Sequence, residues 1–366
     1  MKLSIFINNL SAGGRERQLF YLCKTLVNHC SIQLFIFNED IFFNEIFALP
    51  LQFVTIKKEN RYKVGTLLKV YKKLDEFSPD IIQAWDNVTH SLALPFMVIR
   101  RVKVINSSIR YSGNLKRTLK FRLIRKIAFA TSHKLISNSR AGLVVENLLD
   151  SKKAVLIYNG FDLNSFQKNR TQIPDELKAK VNLFKHTVVM VGRFVAAKDY
   201  ITFLQAAKLV IARHPSVGFF CIGDGPERRW AQIEAGTHLN KNIIFLGERH
   251  DVLSIIGEFD IGVLLTNTDG HAEGISNAIM EYMAAGLPVI ATRAGGNPEL
   301  VKNNVCGYLV PSFAPEIVAE KILFLLENEK DRKSMGLNGS EIIKNDFSME
   351  KMSLSFLSLY RDLIRD

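Results

Sequence analysis

Short apolar runs alternate along the chain with longer stretches in which apolar residues recur every three or four positions. Residues 2–7, 32–37, 52–56, 80–84, 102–106, 134–137 and 154–157 are runs of strand length. Between them, Leu19, Leu22, Cys23 and Leu26 lie at helical spacing after a Gly13-Gly14 turn, and helices are expected at 63–76, 115–130 and 140–149. A second series follows, with strands at 187–191, 218–222, 242–246, 260–265 and 288–291. Its helices fall at 199–213, 226–236, 251–257, 276–285 and 315–328. The last pattern is an amphipathic helix at 348–364, with Met352, Phe356, Leu359 and Ile364 on its apolar stripe. Strands separated by helices predict an α/β fold of mainly parallel sheets covered on both faces. The polar stretch between the series, with one proline, reads as a linker. The expected organisation is a domain at 1–163, a linker at 164–181, a second domain at 182–348, and a terminal helix at 349–366 that joins the first domain. Two doubly wound domains in series would place a cleft at the carboxyl ends of their sheets.

The length agrees with this division: 366 residues exceed the ~250–300 at which a single core stops growing. Cys23, Cys30, Cys221 and Cys306 form neither a C-x-x-C pair nor a zinc spacing, which predicts reduced thiols and a cytoplasmic protein. The opening apolar run is too short for a signal-peptide core, and no segment reaches ~18 uninterrupted apolar residues. Net charge is +12 and unevenly placed. Residues 1–165 hold 25 Lys and Arg against 12 Asp and Glu, whereas residues 166–366 hold 23 against 24. The first domain is therefore expected to meet an anionic partner.

The segment Glu273-Gly-Ile-Ser-Asn-Ala-Ile-Met-Glu281 carries the most chemistry. Glu273 falls in a polar loop after a strand, and Gly274 to Asn277 lead into a helix whose free N–H groups would form an anion site. Were residues 273–281 helical throughout, the carboxylates would stand about 12 Å apart along the axis. That exceeds the roughly 5–9.5 Å of a glycosidase pair and suits two contacts along an extended ligand. Arg193 and Lys198 follow the strand at 187–191, where cations can neutralise a leaving diphosphate.

These signatures, with Gly223-Asp-Gly-Pro226, Phe245-Leu-Gly247 and Asp251, Asp260, Gly286-Leu-Pro-Val-Ile290, and Gly295-Gly296 with Glu299, stand in the order of a known family. The second half resembles the nucleotide-sugar-binding domain of the retaining glycosyltransferase family 4. The first half is similar through Gly13-Gly14-Arg15-Glu16-Arg17, Asn138-Ser139 and Asn159-Gly-Phe-Asp162. The resemblance implies the GT-B architecture, two Rossmann-like doubly wound domains facing each other across a cleft. It also implies a transferase moving a sugar from a nucleotide-sugar donor, a UDP-sugar by preference, to a glycan acceptor, with retention of configuration. It assigns the diphosphate to Arg193 and Lys198, the ribose to Glu281 and the donor sugar to Glu273. Gly274, Ile275, Ser276 and Arg249 would complete the donor site, and Gly13 and Gly14 would close over the diphosphate. No metal and no cofactor is implied, because protein cations replace a divalent ion and the chain shows no Asp-x-Asp pair. Many members carry a His-Asp pair after a strand of the first domain; here Asn106-Ser-Ser-Ile-Arg110 stands in that place. Arg110 and His90 are the acceptor-side candidates, and His271 is the other histidine placed near the cleft; for both histidines the competing reading, and the commoner one, is an ordinary loop or core residue.

Segment 115–130 holds six cations among Leu115, Leu119, Leu123 and Ile127, which recur every four residues. One reading is a core stripe with a solvated basic rim. The other is an interfacial helix on an anionic membrane, which the first domain's charge favours and a lipid-linked saccharide acceptor would exploit. Such an enzyme would act in cell-surface polysaccharide synthesis, as for capsule, O-antigen or exopolysaccharide, at the cytoplasmic face of the inner membrane. Alternative readings are a sugar-nucleotide epimerase of the same architecture and a non-catalytic basic binding protein. No nucleic-acid-binding signature accompanies the charge.

Overall fold

A computed structural model describes the chain apart from Ala12, residues 58–62, 114–117 and 170–172, and Asp366. It divides into two compact units. The first comprises Met1–Arg110, Leu115–Gly160 and Met349–Asp366; the second comprises Tyr111–Asn114 and Phe161–Ser348.

In the first unit, β1 (Lys2–Ile7), β2 (Ser31–Ile36), β3 (Gln52–Thr55), β4 (Ile81–Ala84), β5 (Lys103–Ile109), β6 (Lys134–Ser137) and β7 (Ala154–Leu156) form one sheet in the order β3-β2-β1-β4-β5-β6-β7. The second unit repeats the scheme. Strands β8 (His186–Val191), β9 (Val217–Ile222), β10 (Ile243–Gly247), β11 (Ile261–Leu264), β12 (Val289–Thr292) and β13 (Gly307–Val310) run in the order β10-β9-β8-β11-β12-β13. Every pairing is parallel. Both are doubly wound, Rossmann-like sheets. In each, the order reverses beside the first strand, between β1 and β4 and between β8 and β11, where doubly wound folds bind ligands at the carboxyl ends. The strands are apolar on both faces because helices cover both: β1 and β2 are buried along all but their first residue.

Several elements depart from the periodicity. The segment expected to be a linker carries helices Leu163–Asn169 and Asp175–Val181 within the second unit. Asp162 caps the first, accepting from Ser165 N at 3.0 Å, and Phe166, Leu177 and Val181 are buried. Helix Asn87–Arg100 was not evident because its nearly continuous apolar run hides a 3.6-residue period and Pro95 reads as a breaker; Asp86 caps it through Val88 N and Thr89 N. Helix Glu329–Asp346 and β13 were also missed. The helix buries only Arg332, Met335, Gly336, Gly339 and Ile343, too few apolar residues to mark a stripe. The terminal helix Met349–Arg365 packs Met352, Phe356, Tyr360 and Leu363 into one core with Leu19, Leu22, Cys23 and Leu26. Ile364, assigned to its stripe, is 45% exposed, because at 100° per residue the face that holds 352, 356 and 360 passes through 363 instead.

Candidate functional site

Lys198 lies on the loop after β8 and Glu273 on the loop after β11, so the two strands at the order reversal of the second unit deliver both. Lys198 Nζ donates to a Glu273 carboxylate oxygen, with side chains 15% and 24% exposed. Backbone fixes the approach: Lys198 and Thr266 form an antiparallel bridge, Asp199 N donates to Leu265 O at 3.1 Å, and Asn267 N donates to Ala197 O at 3.2 Å. Asp199 also caps the next helix, Tyr200–Arg213, by accepting from Thr202 N at 3.0 Å.

Beneath Lys198, Tyr200 stacks on Phe194 at 3.9 Å and donates its hydroxyl to Gly192 O at 2.7 Å. Burial pushes the Tyr200 phenol well above its usual range, so it remains a donor. Gly192 N donates to Ile222 O, and Phe194 N to Asp224 O. Gly223 makes this possible. Its φ is +136°, and a Cβ there would come 2.1 Å from Gly192 O. The Gly223-Asp-Gly-Pro226 motif is thus a backbone clamp on the turn that presents Arg193. The Arg193 guanidinium is exposed and donates to no acceptor among the described residues.

Glu273 is held from its main chain. Its carbonyl accepts from Gly296 N at 2.9 Å and from Ser112 Oγ, and Tyr111 forms an antiparallel bridge with it. Ser112 N donates to Ala272 O at 3.2 Å and Tyr111 OH to Gly270 O at 2.6 Å, with the His271 ring 3.5 Å from that hydroxyl. Gly295, at φ +56°, admits this packing: a Cβ would stand 2.2 Å from Glu273 O and 2.6 Å from Ser112 Oγ. The helix starts at Asn277 with Ser276 as its N-cap, so Glu273 stands on loop backbone, and the 12 Å estimate for a continuous helix does not apply. Glu281 lies within that helix and is 2% exposed; Ile275 and Ser276 are buried at its start, after Gly274. Arg249 follows β10 and is spent largely on Asp251, donating through Nε at 2.7 Å and Nη2 at 2.5 Å. This fork draws the Asp251 carboxyl below its usual range.

The remaining candidates belong to the first unit. Gly13 is the N-cap of helix Gly14–Leu26, and Glu16, 4% exposed, pairs with Arg15. Arg110, at the end of β5, covers the Trp85 ring at 4.2 Å, donates to Asn159 Oδ1 at 3.1 Å and to Ser107 O at 3.1 Å. Burial, reinforced by Arg15, lowers its pKa to about 9, so it remains a cation at neutral pH. His90 is corrected. It is fully buried on helix Asn87–Arg100, its Nε2 lies 2.9 Å from Thr131 Oγ1, and burial lowers its pKa to about 4. It is a neutral core histidine that no substrate reaches. The basic helix runs Leu119–Thr131, Leu115 lying outside the described residues. Leu119, Leu123 and Ile127 are 80%, 58% and 43% exposed, and only Ala128 is buried, so the stripe is not a core stripe. All four thiols are buried and free. Among the described residues no cluster of three or more His, Cys, Asp or Glu could hold a metal ion, and no helix is long and apolar enough to cross a membrane.

Residues 12–165 match the model of glycosyltransferase family 4, and residues 185–328 match that of the glycosyl transferases group 1. The chain belongs to this glycosyltransferase family. It is 26% identical over 242 residues to the N-acetyl-alpha-D-glucosaminyl L-malate synthase of Bacillus anthracis, covering 66% of this chain and 60% of that protein. It is 30% identical over 233 residues to the UDP-Gal:alpha-D-GlcNAc-diphosphoundecaprenol alpha-1,3-galactosyltransferase of Escherichia coli, covering 60% and 57%. The chain thus spans about six tenths of the length of these curated relatives. Its fold matches Anabaena Alr3699/HepE, solved with UDP and glucose, at a TM-score of 0.83 and 19% identity over 99% and 100% of the two chains. The fold is GT-B.

Several of the family-4 signatures in this chain are structural. Asp260 accepts from Thr187 N at 2.9 Å at the amino ends of β8 and β11, opposite to the Lys198 loop. In Asn159-Gly-Phe-Asp162, Asn159 receives Arg110, Gly160 N donates to Gln18 Oε1 at 2.9 Å, and Asp162 is the helix cap. Sequence reasoning missed Tyr111 and Ser112. No local motif marks them, since their function is to pair with a loop some 160 positions away.

Proposed function

We propose that the chain is a retaining glycosyltransferase that moves a sugar from a nucleotide-sugar, a UDP-sugar by preference, to a lipid-linked glycan acceptor in cell-surface polysaccharide synthesis. The observation that carries the reading is the Lys198–Glu273 pair at the order reversal of the second sheet, with Arg193 exposed on the same loop as Lys198. A diphosphate arriving there would draw Lys198 from Glu273 and release the carboxylate for sugar hydroxyls, while Arg193 offers its planar fork. Glu281 would meet the ribose, with the amides of Ile275 and Ser276 adding hydrogen bonds. The reaction would be front-face: the bond from sugar C1 to phosphate oxygen breaks, the acceptor oxygen bonds to C1 on the same face, and the acceptor proton passes to the departing phosphate. The chain's contribution is electrostatic stabilisation of that phosphate by fixed cations, with no divalent ion. The E. coli relative's name supports a UDP-sugar and a diphosphoundecaprenol-linked acceptor.

The exposed stripe Leu119, Leu123 and Ile127, beside Lys120, Arg122 and Lys126, supports peripheral attachment of the first unit to an anionic membrane on its cytoplasmic face.

A screen of UDP- and GDP-sugars by thermal stabilisation, then transfer assays with a lipid-linked acceptor in EDTA, tests the proposal. A bound donor at 100 times its Kd adds about 2.7 kcal/mol. Transfer that persists in EDTA and yields the donor's anomeric configuration is the expected result. Donor turnover without acceptor would replace transfer by epimerisation, and loss of transfer in EDTA would end the metal-free mechanism.

A further inference from the structure

A cavity of about 440 Å³ opens at the amino ends of β5, β6 and β7, lined by Lys103, Lys134, Lys153, His133, Thr131 and Ser132 among others. Doubly wound folds bind substrates at the carboxyl ends of their strands, so this cavity is not part of the acceptor side of the first unit. Among the described residues its lining holds three ammonium groups and no carboxylate. The surrounding sequence is equally one-sided: residues 87–145 contain 12 Lys and Arg and no Asp or Glu.

The C-terminal carbonyls of helix Leu119–Thr131 point toward this end, but Ala130 O accepts from Lys153 Nζ at 2.8 Å, and Ala128 O accepts from Ser132 N and Oγ. Lys134 Nζ gives one proton to Lys152 O at 3.2 Å. Lys153 and Lys134 each keep two further N–H donors, and Lys103 donates to no acceptor among the described residues. His133 Nδ1 accepts from Val104 N at 3.0 Å, which places the ring proton on Nε2 and makes that nitrogen a donor. Burial, with Lys103 and Lys153 close by, lowers the ring's pKa below the ordinary histidine range. The described lining therefore holds spare N–H donors and three positive charges with no carboxylate beside them.

We propose that this cavity binds a phosphate group in its dianionic, monoester form. A cluster of point-charge ammonium donors with one neutral imidazole N–H favours a compact anion of high charge over a diester. Ile127, the last of the exposed apolar residues on the adjoining helix, lies one turn before Thr131 of the cavity wall. A phosphomonoester lipid headgroup would thus fill the site as that helix meets the membrane; this source rests on the membrane reading above, whereas a soluble phosphomonoester would not.

The test compares wild type with Lys103→Gln/Lys153→Gln, and with Lys69→Gln/Lys72→Gln, two exposed lysines of the first unit away from the basic helix, as an equal-charge control. The first arm follows the His133 ring 1H–15N signal during addition of inorganic phosphate, assigned with His133→Asn. The second measures sedimentation with phosphatidylcholine vesicles carrying equal mole fractions of phosphatidic acid or phosphatidylglycerol. Phosphate should shift His133 in wild type and in the control but not in the cavity variant. Phosphatidic acid should be preferred by wild type and control, and the cavity variant should lose about fivefold in that affinity per lysine removed. A His133 response without vesicle binding would remove the membrane reading and keep the site, with a soluble phosphate as its ligand. No His133 response and no headgroup preference, or responses unchanged in the cavity variant, would overturn the proposal.

Discussion

The two sheets share one strand order, yet their order reversals are furnished in opposite ways. In the first unit β4 passes to its helix through Trp85 and Asp86 alone. Trp85 is 1% exposed, stacks near Phe356, donates Nε1 to Arg15 O at 3.1 Å and lies under Arg110. Asp86 accepts from Asn8 N of the β1 loop and from two amides of its own helix. The crevice between β1 and β4 is occupied by protein. In the second unit β11 reaches its helix through residues 265–276, and this long connection has room to bring Glu273 to Lys198. One topology thus gives a seam closed by Trp85 and Asp86 where the crossing is short and one that carries the Lys198–Glu273 pair where it is long.

The contrast is broken most forcefully at Trp85. Trp85→Ala removes the largest fully buried side chain of the chain and should cost about 3–5 kcal/mol of stability in urea unfolding. Lys198→Ala should do the reverse, lowering transfer by ~10²–10³ while the unfolding midpoint hardly moves, since the pair it breaks is still partly open to solvent. If Lys198→Ala were active, or Trp85→Ala as stable as wild type, the two seams would not differ in kind.

Acid should separate the units next. His90 is neutral at a pKa of about 4 in the fold against about 6.5 when unfolded, so the unfolded chain binds the proton first. Stability that is complete above pH 6.5 is lost as pH falls toward 4, by roughly 2 kcal/mol between pH 7.5 and 5. His133 and His186 are also lowered by burial and act in the same direction. His90→Gln, whose amide can retain the bond to Thr131, should therefore lose the larger part of the acid slope. Among the described residues the second unit buries no histidine as deeply, so a slope unchanged in that variant would place the acid sensitivity elsewhere.

How much of this was legible beforehand follows from range in sequence. Strands of six apolar residues and the loops after them were readable because burial on two faces leaves an uninterrupted run, and because Arg193, Lys198 and Glu273 each stand a few residues past such a run. Helix Asn87–Arg100 was hidden by that same uniformity. His90 was misplaced because a histidine after a strand looks alike whether its helix turns it inward or outward; only the packing against Thr131 decides. Leu119, Leu123 and Ile127 could be read as core or as interface, since spacing records a stripe but not what lies opposite it. The fork between Arg249 and Asp251, two residues on, is a pairing that spacing alone does not mark.

Ser112 offers the finest test of the comparison. The long β11 connection can serve as a site only if it is held, and the Glu273 carbonyl is held by Gly296 N and Ser112 Oγ beside the Tyr111 bridge. Ser112→Ala deletes one of the two hydrogen bonds and leaves the Lys198 contact chemically intact. A hydrogen bond worth about 0.5–1.5 kcal/mol predicts a fall of roughly two- to tenfold. The fall should appear in kcat more than in KM if the carboxylate matters most as the sugar leaves, and Ser112→Thr should restore it by keeping the hydroxyl. The matching experiment in the first unit is Asn159→Ala, which frees one bond of Arg110 but leaves Trp85 beneath it; there the same loss should register in stability and not in turnover of donor. Equal effects on kcat from both substitutions would mean that the filled seam also carries chemistry.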